Sequence, residues 1–331
     1  MNCREFSRLA QGVAGALILS AAVSGAASSA RAEEMVVGLI TKTDTIPFFV
    51  KMREAATEEA GKLGVKLVAS TGKFDGDTES QVAAIENLIS LGAKGIMITP
   101  SNSTAILSAV KEARDKGIIV IALDTPTEPP EAVDATMATD NFKAGEYQGT
   151  YARLALGGKA PKIVMLDGTS GSSVSELRHD GYLKGMGLAE GDPAIVGAQF
   201  TNGATDKAQA AMENLLAAHP DINAVYSINE TAAAGAYAAI KAAGLENDIV
   251  LTAIDGGCAG VKNVADGKTA ATVMQFPRKM AALGVKAIVD AAKGGAKPSG
   301  FIDTGSEVIT DKPFAELPSK DTAFGAKACW G

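Results

Sequence analysis

Short, β-branched apolar runs alternate with longer segments of helical periodicity along most of this chain. The first set of runs is MVVGLI (35–40), VKLVAS (65–70), GIMIT (95–99) and IIVIAL (118–123). Between them, stretches such as 77–91 and 104–116 repeat apolar residues at three- and four-residue steps, the period of a helix that buries one face. After residue 139 the rhythm restarts with KIVMLD (162–167), AIVGAQ (194–199), AVYSI (224–228), IVLTAI (249–254) and AATVMQ (270–275). Strands that are apolar on both faces, separated by amphipathic helices, predict parallel sheets covered by helices. Two such sets predict an α/β fold of two doubly wound, Rossmann-like lobes.

Polar residues interrupt this pattern at particular places. Asp124, Asp167, Asn229-Glu230, Asp255 and Gln275 each fall at the carboxyl end of a predicted strand. Open α/β sheets bind their ligands at that edge. A single such residue is equally well a turn or helix cap; a set spread over both lobes points to a shared site. Directly after the first run comes TKTDTIPFF (41–49), where two adjacent aromatics, Phe48 and Phe49, follow Pro47 in a chain that is only 5% aromatic. A helix start needs a cap and tolerates a proline, but it does not need two phenylalanines.

The N-terminal stretch reads as an export signal. Arg4 and Arg8 precede a mostly apolar segment (9–23), and small residues then lead to Ala30-Arg31-Ala32. Positive start, short apolar middle and A-x-A exit define a secretory signal peptide over 1–32 and a periplasmic mature chain. A membrane anchor requires roughly 20 uninterrupted apolar residues, whereas Gln11 breaks this one. Removing Arg4, Arg8, Arg31 and Glu5 takes away a net +2 and moves the formal charge from −7 to −9. An acidic surface argues against nucleic acid as a partner. Of the three cysteines, Cys3 leaves with the signal segment. Cys258 and Cys329 remain in an oxidising compartment, where a single disulfide is one pairing and two free thiols the alternative.

Catalytic signatures are thin. The two histidines, His179 and His219, stand in no metal-binding spacing, and neither a G-x-S-x-G elbow nor a Walker A sequence occurs. GTSGSS (168–173) imitates a phosphate-binding loop but lacks the Lys-Ser/Thr of a P-loop and the G-x-G-x-x-G spacing. No cofactor or metal is expected. Asp, Asn and Gln side chains instead match a small, uncharged, hydroxyl-rich molecule, since a carboxylate accepts from two neighbouring hydroxyls. The C–H faces of a sugar pack on aromatic rings, a surface that Phe48 and Phe49 supply.

PFF (47–49), ALDTP (122–126), ATDN (138–141), ENLLAAHPDINAVYSINE (213–230), AAAGA (232–236), AIDGG (253–257) and TVMQFP (272–277) occur in one order. Through these motifs the mature chain resembles the periplasmic sugar-binding proteins of ABC transporters, of the ribose-binding type. Within that family, ITKTD (40–44), SINETAAAGAYAA (227–239), IDGGCAGVKNVADG (254–267) and the terminal CWG (329–331) are most similar to fructose-binding members. The resemblance implies a type I periplasmic binding protein whose lobes close like a hinge on one monosaccharide. It sets the lobes at 33–139 plus 276–304 and 140–275 plus 305–331, with crossovers near 139, 275 and 304. It further implies a monomer that delivers its sugar to a membrane permease, with a chemoreceptor as a further partner class and no enzymatic activity. Sugar contacts carry over onto Phe48, Phe49, Asp124, Asn229, Asp255 and Gln275, with Asn202 near another contact position.

Three positions depart from the ribose-binding pattern. Thr125 and Glu176 stand where ribose binders carry arginines, which argues against ribose itself. Ile46 replaces the Asn that usually precedes PFF and reaches the sugar. Lys42 and Asp44, on the same loop, are the candidates to compensate. Arg178 aligns with a structural arginine that anchors a helix. Two other classes share parts of this reading: the ligand-sensing core of a transcription regulator, and a carbohydrate-active enzyme using Asp124 and Asp255 as paired carboxylates.

Overall fold

The computed structural model describes residues 34–331; the export segment expected over 1–32 lies outside them. Two six-stranded sheets form the two lobes. The first contains β1 (Val36–Thr41), β2 (Lys66–Thr71), β3 (Gly95–Ile98), β4 (Ile119–Leu123), β5 (Ala135–Ala138) and, much later in the chain, β11 (Gly300–Asp303). Their order is β11-β5-β4-β3-β1-β2, with every pairing parallel. The second contains β6 (Ile163–Asp167), β7 (Ile195–Phe200), β8 (Ala224–Ser227), β9 (Val250–Asp255), β10 (Ala271–Met274) and β12 (Glu307–Ile309). Here the order is β12-β10-β9-β8-β6-β7, and only β12 runs antiparallel to its neighbour.

Alternation along each strand explains why these segments read as continuously apolar. On β4, Ile119, Ile121 and Leu123 pack with α1 (Pro47–Leu63) and α9 (Pro277–Ala292), while Val120 and Ala122 face α2 (Thr78–Ser90) and α3 (Leu107–Asp115). Helices on both faces leave the central strands no face for water, and each buried Ile or Leu contributes about 1.5–3 kcal/mol. The second sheet is covered by α4 (Asn141–Ala155), α5 (Ser173–Met186), α6 (Thr205–Ala218), α7 (Glu230–Ala242), α8 (Cys258–Ala265) and the short α10 (Thr322–Ala328). The chain passes between the sheets three times: between β5 and α4, between β10 and α9, and between β11 and β12. Among the described residues, no helix is long and apolar enough to cross a membrane.

One helix pair is packed with unusual closeness, and it positions the site. Gly145 and Gly149 on α4 face Gly181 and Gly185 on α5, in two matching G-x-x-x-G stripes. A methyl group on any of the four would overlap backbone of the opposite helix: Gly145 meets the Arg178 carbonyl, Gly149 that of Tyr182, Gly181 that of Phe142 and Gly185 that of Glu146. The obstacle is backbone, which cannot rotate away. We expect Gly149→Ala to lower stability by about 1–3 kcal/mol, although helix propensity alone favours Ala by about 1 kcal/mol. Gly61, on α1 with open space around its Cα, is the control: Gly61→Ala should raise stability by about 0.5–1 kcal/mol. Urea unfolding of both variants gives the two signs.

Candidate functional site

The carboxyl ends of the strands of both lobes face one another across a cavity lined from both sides. Lys42 and Ile46 enter it from the loop after β1, Phe48 and Phe49 from the first turn of α1, and Asp75 from the loop after β2. Asp124 follows β4; Gly203, Asn229 and Gln275 follow β7, β8 and β10; Asp255 ends β9. Thr169, Val174 and Arg178 come from the loop after β6 and from α5. The cavity thus gathers three carboxylates and two cations around an aromatic wall.

Local structure fixes these groups. Proline at the start of α1 and a carbonyl of Ile46 that accepts from Phe49 and Val50 set the direction of the two phenylalanines. Their rings stand edge to face, with centroids 5.4 Å apart. Asp124 takes a left-handed backbone (φ 63°), a conformation that costs energy in any residue but glycine and that turns its carboxylate into the cavity. Asn229 caps α7, its Oδ1 accepting from Ala232 N at 2.8 Å, and lines the cavity as well. The cap and site readings of a strand-end residue therefore coexist here.

Arg178 is held through three of its five N–H groups. Its Nε donates to Asn141 Oδ1 at 2.8 Å, and its two terminal nitrogens donate to the Ile228 carbonyl (3.0 Å) and to Gln275 Oε1 (3.2 Å). The guanidinium also lies 3.7 Å from Asp124, across the lobes. Gln275 in turn donates to Asp255 Oδ1 at 2.8 Å. Arg178 anchors its helix and also lines the cavity.

At the opposite corner the polar groups are incompletely paired. Lys42 Nζ donates to Ser172 Oγ at 3.0 Å and lies 3.8 Å from Asp75. Asp75 Oδ1 and Thr169 Oγ1 are buried without a hydrogen-bond partner. Burial holds the Asp75 carboxyl above its ordinary range, against the pull of Lys42 and of the nearby Thr169 hydroxyl. Behind Asp255, the buried Glu230 carboxylate accepts from the backbone N–H of Gly256 and Gly257 (2.9 and 3.0 Å) and from Thr272 Oγ1 (2.7 Å). Burial, and then the charge of Asp255, hold Glu230 above the usual carboxylate range.

Four residues expected to touch ligand are placed otherwise. Asp44 is exposed on its loop, outside the cavity, so only Lys42 of that pair turns inward. Glu176 is exposed on the far side of α5, beside His179 and Asp180, because the helix register that buries Arg178 sends it outward. Thr125 is buried but donates to its neighbour Asp124 Oδ2 at 2.8 Å instead of lining the cavity. Asn202 reaches across the lobes and donates to the Asp75 carbonyl at 2.8 Å. Asp167 also turns away from the cavity, onto His179 Nδ1 at 2.8 Å. Asp75 and Thr169 were absent from the expected set. The run of Gly and Asp in GKFDGD (72–77) marks a turn and gives no sign that one of its carboxylates faces inward.

The Gly168–Ser173 loop, which imitates an anion-binding loop in sequence, makes its hydrogen bonds to the other lobe. Ser103 N donates to the Gly171 carbonyl at 2.9 Å, and Ser173 N donates to Ser103 Oγ at 3.0 Å. The two serine hydroxyls both reach the Pro126 carbonyl, at 2.8 and 2.7 Å. Together with Lys42 and Asn202, these contacts hold the lobes closed. Cys258 and Cys329 are joined in a disulfide, with Cα atoms 4.9 Å apart.

Two doubly wound lobes with three crossings, closed over a polar cavity at their strand ends, constitute the type I periplasmic binding protein fold. Residues 37–296 match the periplasmic binding protein domain, and the chain belongs to that family. It is 34% identical over 295 residues to the ribose import binding protein RbsB of Escherichia coli strain K12, covering 89% of this chain and 94% of that one. It is also 30% identical over 263 residues to the D-allose-binding periplasmic protein of the same strain, covering 78% of this chain and 84% of the relative. Among solved structures, it is similar to a periplasmic solute binding protein from Actinobacillus succinogenes 130z with bound D-allose, with a TM-score of 0.75 and 27% identity over 84% of this chain and 98% of that one. A solute binding protein from Agrobacterium vitis with bound D-fucose gives a TM-score of 0.77 and 27% identity, covering 86% of this chain and all of that one (100%).

The structure also generates a pH dependence. His179 lies between Asp167 and Glu190, its Nδ1 and Nε2 at 2.8 and 3.0 Å from their carboxylates. The hydrogen bond to Asp167, opposed by burial, raises its pKa from 6.5 to about 9. A pKa raised in the folded state means that the charged imidazole stabilises the fold. The contribution is complete below pH 6.5 and is lost as pH rises through about 9. We expect the wild type to lose on the order of 2–3 kcal/mol across that window, and His179→Gln to show a flatter profile when unfolding free energy is measured at each pH.

Proposed function

We propose that this chain is the periplasmic substrate-binding component of an ABC importer for a monosaccharide, with a fructose-like sugar as its leading ligand. The observation that carries this reading is a closed cavity whose buried polar groups come from both lobes, two of them, Asp75 Oδ1 and Thr169 Oγ1, without partners. An unpaired buried acceptor costs about 1–3 kcal/mol, and the hydroxyls of a sugar relieve it. The ring rests against Phe48 and Phe49. Asp124 and Asp255 accept hydroxyl protons, while Arg178, Lys42 and the amides of Gln275 and Asn229 donate. No bond of the sugar changes.

Binding and closure are one equilibrium. The lobes, taken as 33–139 plus 276–304 and 140–275 plus 305–331, rotate about the three crossings, and sugar favours the closed form because only there do both sets of groups reach it. The closed form then docks on a permease whose ATP-driven step lies on another subunit. The ligands named for relatives include ribose and allose. Ribose itself is disfavoured here: Thr125, which stands where ribose binders carry a cationic donor, is turned onto Asp124 and leaves that donor missing, whereas Glu176 faces away from the cavity and bears on no ligand. Lys42 and Asp75 take up the recognition at the opposite corner, and the apolar Ile46 gives that end of the site a surface for C–H groups.

Calorimetry with D-fructose, D-ribose, D-allose, D-xylose, D-fucose and myo-inositol tests the reading. Binding of D-fructose with preference over D-ribose is expected; silence across neutral sugars and polyols rejects it. Asp75→Asn should weaken the preferred sugar about 10–100-fold, the loss of one or two hydrogen bonds to a charged group. Ile46→Asn should shift the ratio of affinities within the panel by about tenfold. Unchanged selectivity would make Ile46 a packing residue only.

A further inference from the structure

The chain has one tryptophan, Trp330, next to its end. It does not line the cavity, yet it is only 6% exposed and packs into the apolar cluster of the first lobe that holds Ile46, Phe48 and Phe49. Its ring stands edge to face with Phe48, centroids 5.6 Å apart, so that Trp330, Phe48 and Phe49 form a continuous aromatic row. The indole Nε1 donates to the Gln275 carbonyl at 2.9 Å. Gln275 sits where the chain crosses between lobes, and its side chain links Arg178 to Asp255.

The backbone of this tail belongs to the other lobe. Cys329 is bonded to Cys258, the first residue of α8. Cys258 N donates to the Trp330 carbonyl at 3.1 Å, and Trp330 pairs with Gly257 as a short parallel bridge. Gly257 is one of the two residues whose N–H groups the buried Glu230 carboxylate holds. Thus a single covalent tie, three residues beyond the site residue Asp255 on one side and one residue before Trp330 on the other, delivers an indole from the second lobe to the back of the first lobe's aromatic wall. The tail's helix, α10, is seven residues long, too short to persist by its own hydrogen bonds. Upstream, Lys320 pairs with β12 (Lys320 N to the Val308 carbonyl at 2.8 Å) and Thr322 bonds Asp311, so the disulfide governs the last turn and the residues after it.

We propose that the disulfide-pinned C-terminal tail is a positioning strut for the cavity. Trp330 acts on ligand through Phe48, whose ring it backs, and through Gln275, whose carbonyl it fixes; the Cys258–Cys329 bond keeps it there. Its effect on affinity rests on the sugar-binding reading given above, while its dependence on the disulfide does not. Releasing the tie lets the indole leave, opens a void behind Phe48 and frees the wall that the sugar packs on. A disulfide that merely staples the fold would change global stability and leave both the indole's shielding and the sugar affinity of the folded protein unaltered.

Acrylamide quenching of Trp330 emission in the full chain, without sugar, tests the tie. Reduction with dithiothreitol, or the Cys258→Ser/Cys329→Ser pair, should red-shift the emission and raise quenching about twofold or more, as a buried indole becomes a mobile terminal one. Equal shielding before and after reduction overturns the strut. Calorimetry with D-fructose and the rest of the panel tests the consequence. Trp330→Ala and the double serine variant should bind about tenfold more weakly, and Trp330→Phe, which keeps an aromatic edge against Phe48, within about threefold of wild type. Wild-type affinity in both the Ala and the double serine variants overturns the proposal. Should Trp330→Ala lose its folded circular dichroism, the reduced wild type and the serine pair decide. A wild type silent to every sugar rejects the sugar reading, and the quenching result alone then decides the strut.

Discussion

One buried guanidinium organises the cavity and the passage between lobes together. Arg178 is bonded to Asn141, and Asn141 donates in turn to the carbonyls of Asp124 and Thr139, where the chain leaves the first lobe. Through Gln275 it reaches the second crossing. A buried cation is tolerated only when its donors are satisfied, and the satisfied geometry here requires α4, β8 and the end of β10 to be in register. The glycine stripes on α4 and α5 have the same origin, since they let α5 approach closely enough for Nε to reach Asn141. A lysine could not take this role, because a point charge cannot hold three acceptors in a fixed fork.

The electrostatics of the cavity follow from that arrangement. Arg178 offsets Asp124 and also Asp255, and Lys42 faces Asp75, while Glu230, a second carboxylate, stands behind Asp255, which the amide of Gln275 supports. Burial and the neighbouring charge raise Glu230, so the pair carries less than two negative charges near neutrality. A neutral ligand rich in hydroxyls suits such a site. It adds no charge to be compensated, and each hydroxyl can donate to a carboxylate while accepting from an amide or cation. A phosphate or carboxylate ligand would meet three acidic side chains.

Much of the fold was legible because its signal is periodic. The nine long apolar runs became strands within a residue or two, since a strand covered on both faces leaves no position for a polar side chain. Three strands were not foreseen. β5 (ATMA), β11 (GFID) and β12 (EVI) are short, lie beside the crossings and take their order from neighbours across the sheet. The site was legible where a polar residue stood at the end of a long run, as Asp124, Asn229, Asp255 and Gln275 do. It was not legible where direction depended on tertiary context. Asp44 and Asp75 both lie in loops beside β-strands of the first lobe, and nothing local decides that the first faces solvent and the second faces Lys42. Glu176 and Arg178 are two residues apart on one helix, so burying one exposes the other. That register is set by the glycine stripe, which can be read from the sequence once its G-x-x-x-G spacing is seen on both helices.

The closed interface itself is made of weak parts, and this bears on how the molecule works. Away from the aromatic wall, the lobes touch through Ser103, Ser173, the Gly171 carbonyl, Asn202 and Lys42. Each such hydrogen bond replaces one to water and contributes about 0.5–1.5 kcal/mol net, against the ordering of the loops that make it. On the proposed function, such an interface closes and reopens readily. What it lacks is a satisfied centre, because Asp75 Oδ1 and Thr169 Oγ1, one from each lobe, are buried and left unpaired. Closure without ligand therefore pays a desolvation penalty that closure on a hydroxyl-bearing ligand does not. This difference, and not the absolute strength of any contact, is what allows a ligand to shift the equilibrium. Selectivity enters at the same point, because a sugar with a hydroxyl missing or inverted at this corner leaves the penalty in place and stabilises the closed form correspondingly less.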